Sequence, residues 1–293
     1  MTFNNINNFS NALTLMRIPF SIFLMPIFWF AILANEAPFT QWHLVVLIFF
    51  ILHILVYPAS NGYNSYFDKD EGAIGGLEKP PTVNKELFYV VLIFDLLAIG
   101  LSFILGIKFA IGIIAYTLMS KAYSWDKIRL KRYPITSTLV VTIFQGFAVY
   151  WMVNLGLNQQ FEFTTSTLLF AVVSTLFLMG SYPITQIYQH EEDAERGDKT
   201  ISIMLGVNGT FIFSGALFAI ATALMGFGFY LQDDLAKLLI FLISTAPVLL
   251  FFSSWVLKAR KDPSQVNFKN TMKMNKISSI CLSIAFILMN FHF

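Results

Sequence analysis

The sequence has few charged residues and a single cysteine. Charged side chains make up 12% of its 293 residues, whereas an ordinary soluble domain carries about 25%, which argues against a water-soluble enzyme. A disordered chain is excluded because disorder requires low hydrophobicity and high charge. The lone Cys281 excludes an intramolecular disulfide framework and a cluster of thiolate metal ligands. A net charge of +2 is too small to indicate nucleic acid as a partner.

Long apolar runs fill most of the chain. Hydrophobic residues make up 56% of it, and the mean hydropathy is +0.67. Since a spanning helix needs about 20 apolar residues, we predict an all-α, polytopic membrane protein with one domain over residues 1–293. We expect the first run to stay in the protein, because residues 1–16 lack the Lys or Arg of a signal peptide. The nine predicted transmembrane helices are approximately 13–33, 42–60, 87–107, 109–123, 135–155, 164–184, 207–231, 236–257 and 276–292.

The basic residues indicate how the chain is oriented. Sixteen of its 19 Lys and Arg residues lie in or beside the loops that follow predicted helices 2, 4, 6 and 8. Because basic loops remain in the cytoplasm, these loops and the N-terminus are expected to face it. We therefore expect a multi-pass protein of the inner (plasma) membrane with its active site on the cytoplasmic side.

Ten of the 17 acidic residues lie in two of these loops, after predicted helices 2 and 6. A carboxylate inside a membrane costs about 2.5–3.5 kcal/mol on insertion scales, so acidic clusters at helix mouths suggest that a cation is held there. Either loop alone could be an ordinary charged surface loop, but two at equivalent positions favour a site. The acidic residues are Asp68, Asp70, Glu71, Glu78 and Glu86 in the first loop, and Glu191, Glu192, Asp193, Glu195 and Asp198 in the second.

The first cluster offers oxygen ligands without His or Cys. Asn64 and Asp68 are four residues apart and share one face of a helix, and Glu71 follows three residues later. Oxygen ligands suit Mg²⁺, which binds through one or two carboxylates while substrate phosphates complete its shell.

The second cluster repeats this spacing at Gln189 and Asp193. Lys199 could offset the carboxylates or reach a phosphate. His190 could be a metal ligand or a base, although a lone histidine at an interface is more often simply solvated.

Together the two clusters resemble the Asp-rich motifs of the UbiA-type intramembrane prenyltransferases. The family's first motif, Asn-x3-Asp-x3-Asp, is fitted by Asn64 and Asp68, with Gly72 in the third position. Its second motif, Asp-x3-Asp followed by Gly-x-x-Thr, is fitted by Asp193, with Gln189 in the first position. The Gly and Thr of that motif are Gly197 and Thr200.

Two further family features occur in the expected order, so the resemblance covers nearly the whole chain. A Tyr-x3-Lys motif after helix 4 is matched by Tyr123 and Lys127, and an Arg near a Pro in helix 1 is matched by Arg17 and Pro19. If the resemblance is set aside, Lys127 could simply be one of the basic residues that hold a loop in the cytoplasm, and Arg17 could extend its side chain to the membrane–water interface.

The resemblance implies nine helices around a central cavity, in which two Mg²⁺ ions join both acidic clusters to the diphosphate of a prenyl donor. Asp68 and Asp193 would be catalytic, because the metal they hold stabilises the leaving diphosphate. The implied metal ligands are Asn64, Asp68, Glu71, Gln189 and Asp193, with Asp70 and Glu192 in reserve. The implied diphosphate-binding residues are Arg17, Tyr123, Lys127 and Lys199.

We therefore expect a Mg²⁺-dependent prenyltransferase that acts on a small aromatic or lipid acceptor, in the first place an aromatic quinone precursor, with the isoprenoid tail among membrane lipid and apolar helices. Two alternatives remain: a terpene cyclase using the same site, and a cation-coupled transporter. The acids lie at the helix mouths, which disfavours transport, since transporters bind substrate near the bilayer midplane. Asp95, within predicted helix 3, has either a helix–helix or a catalytic role.

Overall fold

The computed structural model describes residues 3–35 and 38–291, which form helices joined by turns and loops. In these ranges the only β-type pairing is an isolated bridge between Ile74 and Leu77, so the predicted all-α class is confirmed. The α-helices are α1 (Phe3–Met16), α2 (Met25–Ile32), α3 (Trp42–Phe49), α4 (Tyr57–Asp68), α5 (Lys85–Ser102), α6 (Ile107–Ser124), α7 (Pro134–Thr142), α8 (Val149–Leu157), α9 (Thr165–Ser181), α10 (His190–Glu195), α11 (Ile201–Leu231), α12 (Leu235–Lys261) and α13 (Phe268–Asn290). Two π-helices, Phe50–Val56 and Ile143–Ala148, join α3 to α4 and α7 to α8.

Eight of the described segments are long and apolar enough to cross a membrane. They correspond to eight of the nine predicted helices. The fourth predicted helix, 109–123, is present as α6 but is not among the eight, since its 18 residues include Lys108 and Lys121. The eight segments are Asn7–Ile32, Trp42–Asp68, Lys85–Leu105, Pro134–Leu157, Thr165–Gln186, Ile201–Leu231, Leu235–Lys261 and Phe268–Asn290.

The chain folds as two compact units that alternate along the sequence. The first unit contains the described residues up to Ile22, Pro38–Lys131 and Leu155–Gln159. The second contains Phe23–Asn35, Arg132–Asn154 and Gln160–Phe291. The first acidic cluster therefore belongs to the first unit and the second cluster to the second unit.

In the first unit, α4 packs closely against α1 and α5 through Gly62. A Cβ atom at this position would lie 2.4 Å from Sδ of Met16 on α1 and 2.8 Å from Cγ2 of Val91 on α5. Side chains that are buried around this contact include Leu15, Ala59 and Leu87. The absent side chain of Gly62 thus lets three helices approach one another, which fixes the position of the polar half of α4.

A polar ladder joins α4 to α6. Its three contacts occur in the same order along both helices, which shows that α4 and α6 run in parallel and that both end beside the first cluster. The contacts are Tyr57 with Tyr116 (5.9 Å between ring centroids), Ser60 with Ser120 (2.6 Å between hydroxyl oxygens) and Asn64 with Ser124 (3.0 Å from Nδ2 to Oγ).

The polar ladder explains one of the larger differences from the predicted helix bounds. The second predicted helix ends at residue 60, where the apolar run stops, but α4 continues to Asp68. Helical backbone satisfies its own hydrogen bonds, and the polar side chains of this stretch find partners on α6, so the helix has no reason to end at residue 60.

Asp95 forms an ion pair between α5 and α6. Its Oδ2 lies 2.8 Å from Nζ of Lys121, and Nζ also lies 4.5 Å from the ring centroid of Tyr63 on α4. An acid within a spanning helix is expected to pair with an opposite charge. The structure therefore gives Asp95 a contact that joins three helices.

The core of the second unit is aromatic. The ring of Phe30 on α2 stacks on Phe286 of α13, with 4.5 Å between centroids, and also contacts Phe170 of α9 at 5.2 Å and Tyr150 of α8 at 5.8 Å. Such ring pairs add about 0.5–1.5 kcal/mol each beyond the area that they bury. This cluster unites α2 with helices that lie far along the sequence.

Candidate active site

The first acidic cluster lies at the carboxyl end of α4. Asp68 is the last residue of this helix, and Lys69 ends it in a left-handed conformation with φ of 51°. The last carbonyl groups of a helix carry partial negative charge, so a carboxylate here is unfavourable unless cations lie close to it.

Two cations lie close to Asp68. Its Oδ1 is 2.7 Å from Nζ of Lys131 and 3.4 Å from Nη1 of Arg129, and its side chain is only 3% exposed. Arg129 also reaches Asp126, with 3.3 Å between Nη1 and Oδ1. Lys131 and Arg129 are themselves buried. A buried charge requires a close partner of opposite sign, and Lys131 and Arg129 are those partners for Asp68.

The carboxamide of Asn64 is oriented by two acceptors. Its Nδ2 donates a hydrogen bond to Asp68 Oδ2 at 2.5 Å, as the four-residue spacing predicts, and a second one to Ser124 Oγ at 3.0 Å. No hydrogen bond to Asn64 Oδ1 is formed by the residues that the structure describes. The amide oxygen therefore stays available to a ligand.

Arg17 binds backbone around the first cluster. Its Nη1 donates to the carbonyl oxygen of Gly75 at 3.2 Å, and its Nη2 donates to that of Asn61 at 3.1 Å. The guanidinium carbon also lies 5.6 Å from the ring centroid of Phe20. These contacts join α4 to the loop that follows it. The diphosphate-binding role predicted for Arg17 stays a prediction.

The loop after α4 also depends on two glycines. A Cβ atom on Gly75 would lie 2.5 Å from Cζ of Phe20, and one on Gly76 would lie 2.9 Å from Cδ2 of the same ring. Gly76 has φ of 89°, a left-handed conformation that glycine adopts without strain. The ring of Phe20 thus packs directly on the loop backbone.

The other residues predicted for this half of the site are more exposed. Lys127 is exposed, with Nζ 5.6 Å from the ring centroid of Trp125, and Glu71 is exposed as well. Tyr123, in the last turn of α6, and Asp70 are half-buried. The structure therefore brings Asn64 and Asp68 together and adds Lys131 and Arg129, neither of which was among the predicted site residues.

The second acidic cluster forms α10, a helix of six residues. Glu191, Glu192 and Asp193 occupy its first turn, directly after Gln189. Acids are favourable there because the first backbone N–H groups carry partial positive charge. Gln189, Glu192 and Asp193 are half-buried, whereas Lys199 is exposed. Glu192 pairs with Arg196, with 3.0 Å between Oε1 and Nη2.

The Gly-x-x-Thr motif ends one helix and begins the next. Gly197 follows α10 with φ of 73°, and the Oγ1 of Thr200 accepts a hydrogen bond from Ile203 N at 3.3 Å as the N-cap of α11. Between them, Asp198 is buried, and its backbone N–H donates to the carbonyl of Asp193 at 2.9 Å. The burial of Asp198 had no signal in the sequence, where it is one of five acids in the loop.

His190 is held by α11. Its Nε2 lies 2.7 Å from Ser202 Oγ, and Ser202 Oγ lies 3.1 Å from Thr210 Oγ1. Partial burial lowers the pKa of His190 below its ordinary value. The ring is therefore neutral at pH 7 and connects the acidic helix α10 to the start of α11.

The donor set of the first cluster fits a hard divalent cation. Asp68 supplies a carboxylate and Asn64 an amide oxygen, which are ligands that Mg²⁺ prefers. Among the described residues, no group of three or more His, Cys, Asp or Glu side chains is arranged to hold a metal alone. Oxygens of a bound ligand would therefore have to complete the shell, and Lys131 and Arg129 suit an anionic ligand.

Comparison with known proteins identifies relatives of the chain. A sequence model described as the UbiA prenyltransferase family matches residues 23–277. A rice protein (Oryza sativa subsp. japonica) named probable homogentisate phytyltransferase 2, chloroplastic, is 27% identical over 145 residues, which are 47% of this chain and 38% of the relative. The match thus spans well under half of the relative's length.

Solved structures share the fold. A UbiA homologue from Archaeoglobus fulgidus, solved with DMAPP and Mg²⁺, aligns with 95% of this chain and 99% of its own, at a TM-score of 0.69 and 16% identity. A structure described for digeranylgeranylglyceryl phosphate synthase aligns with 97% of this chain and 98% of its own, at a TM-score of 0.60 and 18% identity. At these identities the likeness shows the fold alone.

Proposed function

The chain belongs to the UbiA prenyltransferase family and is a membrane prenyltransferase. We propose that it transfers a prenyl group from a prenyl diphosphate to an aromatic acceptor, and that the reaction requires Mg²⁺. The observation that carries the proposal is the environment of Asp68. A carboxylate and an amide oxygen lie beside two buried cations, an arrangement that suits a metal and an anionic diphosphate together.

The residues of the first cluster have two proposed roles, metal binding and diphosphate binding. Asn64 and Asp68 would hold Mg²⁺, which when bound stabilises the negative charge of the diphosphate as the allylic C–O bond breaks. Lys131 and Arg129 would bind diphosphate oxygens, because the cationic groups that now pair with Asp68 can form charge-assisted hydrogen bonds with such a ligand. These two cations join Arg17, Tyr123, Lys127 and Lys199 as proposed diphosphate-binding residues.

The second cluster is also proposed to bind metal. Gln189 and Asp193 are its proposed metal ligands, with Glu192 in reserve. In the first loop, Glu71 remains a proposed metal ligand, with Asp70 in reserve. The position of Asp193 and Glu192 in the first turn of α10 supports the proposal, because it places both acids directly beside Gln189.

The proposed acceptor is aromatic, and the site faces the cytoplasm. The rice relative is named for homogentisate, an aromatic acceptor, and the lipid synthase that shares the fold keeps a lipid acceptor as the alternative. The concentration of Lys and Arg in the loops that carry both clusters supports a site that faces the cytoplasm, and the plasma membrane is the proposed location.

The test is an assay with the purified protein in liposomes. Labelled prenyl diphosphates of increasing length are incubated with homogentisate or a lipid alcohol, with and without Mg²⁺, and prenylated product and released diphosphate are measured. We expect product only with Mg²⁺, and at least a hundredfold less with Asp68→Asn. A protein that consumes none of the donors contradicts the proposal, and a cyclic hydrocarbon formed without acceptor identifies a terpene cyclase instead.

A further inference from the structure

Ser124 makes the last contact of the polar ladder, with Asn64 of the first acidic cluster. It is the last residue of α6, and only 1% of it is exposed. Its hydroxyl oxygen accepts the hydrogen bond of Asn64 Nδ2 at 3.0 Å, while the same Nδ2 donates to Asp68 Oδ2 at 2.5 Å. Ser124 thus touches the cluster through Asn64.

A carboxamide has two chemically different ends. The nitrogen only donates hydrogen bonds and repels a cation, whereas the oxygen only accepts and can coordinate one. In the structure both N–H groups of Asn64 have acceptors, one from Asp68 and one from Ser124. The oxygen is therefore the end that remains for a ligand.

The two acceptors differ in what happens to them when a cation binds. A carboxylate that coordinates a cation can still accept a hydrogen bond, but its orientation is then set by the metal as well as by Asn64. Ser124, on a different helix, carries no charge and keeps its hydrogen bond. It is then the group that holds the nitrogen end of the amide away from the metal.

We infer that Ser124 is a positioning residue for the metal site, which keeps Asn64 Oδ1 directed towards the cation. The inference rests on the proposed function, in which Asn64 and Asp68 hold Mg²⁺. A neutral hydrogen bond is worth about 0.5–1.5 kcal/mol, so its loss should weaken metal binding by about two- to tenfold.

The chain contains a matched control one turn away. Ser120 lies on the same helix and makes the same kind of contact to α4, through Ser60 at 2.6 Å. Its hydroxyl bonds Ser60 and not Asn64. A general effect on the packing of α4 and α6 would follow from either serine, whereas an effect on the metal should follow from Ser124 only.

The experiment measures metal binding by the full-length protein in detergent, with inorganic pyrophosphate as the anionic probe. Mg²⁺ is titrated by calorimetry, and Mn²⁺ by its paramagnetic resonance signal. We expect Ser124→Ala to weaken binding by about two- to tenfold, and Ser120→Ala and Ser124→Thr to bind like the wild type, since threonine keeps the hydroxyl. If Ser124→Ala does not fold, Ser124→Cys replaces it, because a thiol is a weak acceptor.

A second readout distinguishes positioning from mere packing. In Asn64→Asp the side chain has two oxygens, so either orientation presents one to the metal. We expect Ser124→Ala to have less than a twofold effect on metal binding in the Asn64→Asp background, whereas a packing role would weaken binding equally in both.

The outcomes separate this inference from the proposed function. If Asp68→Asn leaves Mg²⁺ binding unchanged, the proposed metal site is wrong. If Asp68→Asn abolishes binding while Ser124→Ala binds like the wild type, or if Ser120→Ala weakens binding as much as Ser124→Ala, the metal site stands and the role of Ser124 is refuted.

Discussion

Asp68 carries its charge at an unfavourable place, the carboxyl end of α4, and in a largely buried position. Lys131 and Arg129 make this charge tolerable. The same two side chains suit a diphosphate, whose oxygens resemble a carboxylate in charge and in hydrogen bonding. The residues that stabilise the protein without a ligand are thus the ones proposed to bind its donor.

Lys131 and Lys127 give the first prediction. We expect Lys131→Met to lower kcat/KM for the prenyl diphosphate by at least tenfold, because a charge-assisted hydrogen bond is worth about 1.5–3 kcal/mol, and we expect Lys127→Met to have a smaller effect because Lys127 is exposed. Steady-state kinetics with varied donor measure both. A larger loss at Lys127 would support the Tyr-x3-Lys hypothesis from the sequence and count against the role proposed for Lys131.

The second prediction concerns pH and His190. Because burial lowers its pKa, the unfolded chain takes up a proton at this histidine more readily than the folded protein does. Above the ordinary pKa of about 6.5, His190 has no effect on the free energy of unfolding. As the pH falls below that value, His190 lowers the free energy of unfolding. Melting temperatures at about pH 7.5 and 5.5 test this. His190→Gln should lose less stability over this interval than the wild type, and an equal loss would show that other groups are responsible.

The helix α4 shows how an element can be polar and still cross apolar surroundings. The polar ladder supplies partners on α6, and Gly62 allows close contact with α1 and α5. Both features act on the same twelve residues of α4. The position of the acidic cluster is therefore set by helix packing rather than by the loop that follows.

Gly62 and Gly100 give the third prediction, on the stability of these helices. We expect Gly62→Ala to destabilise the protein by about 1–3 kcal/mol, since the new methyl group would overpack the contact with Met16 and Val91. Gly100→Ala, on α5, has open space around its Cβ and should stabilise the protein by up to about 1 kcal/mol. Denaturation of both variants measures this, and equal shifts would contradict the close packing.

Sequence patterns were sufficient where the structure depends on local spacing. The four-residue spacing of Asn64 and Asp68 correctly predicted that their side chains meet. The spacing was not sufficient for choosing among the basic residues after α6. Arg129 adopts a left-handed conformation with φ of 42°. This conformation could not be predicted from the sequence, because the residue at this position is neither glycine nor asparagine. It accompanies the burial of Lys131 and Arg129, while Lys127 stays exposed.

At the scale of the whole molecule, the apolar runs predicted eight of the spanning segments because burial in lipid depends on composition and length alone. The end of the second helix was wrong, since it depends on partners from another helix. The division into two units that alternate along the chain was not visible either, because it depends on contacts such as that between Phe30 and Phe286.

The fourth prediction concerns orientation in the membrane. In a Cys281→Ser background, we expect single cysteines at the exposed positions Lys199 and Lys261 to react with a membrane-impermeant thiol reagent only after the cells are opened. A cysteine at the exposed position Asp233 should react in intact cells, because the positive-inside rule places the loop between α11 and α12 outside. The reverse pattern of labelling would invert the predicted topology.

The ring of Phe30 lies in the first part of the chain, yet it stacks on Phe286, close to the last described residue. A ribosome that adds about 5–20 residues per second needs roughly 10–50 s to make the intervening stretch. During that time α2 has emerged but lacks its final neighbour. The aromatic core of the second unit is therefore completed only when synthesis is nearly over, and until then lipid or the insertion machinery must cover the face of Phe30 that later stacks on Phe286.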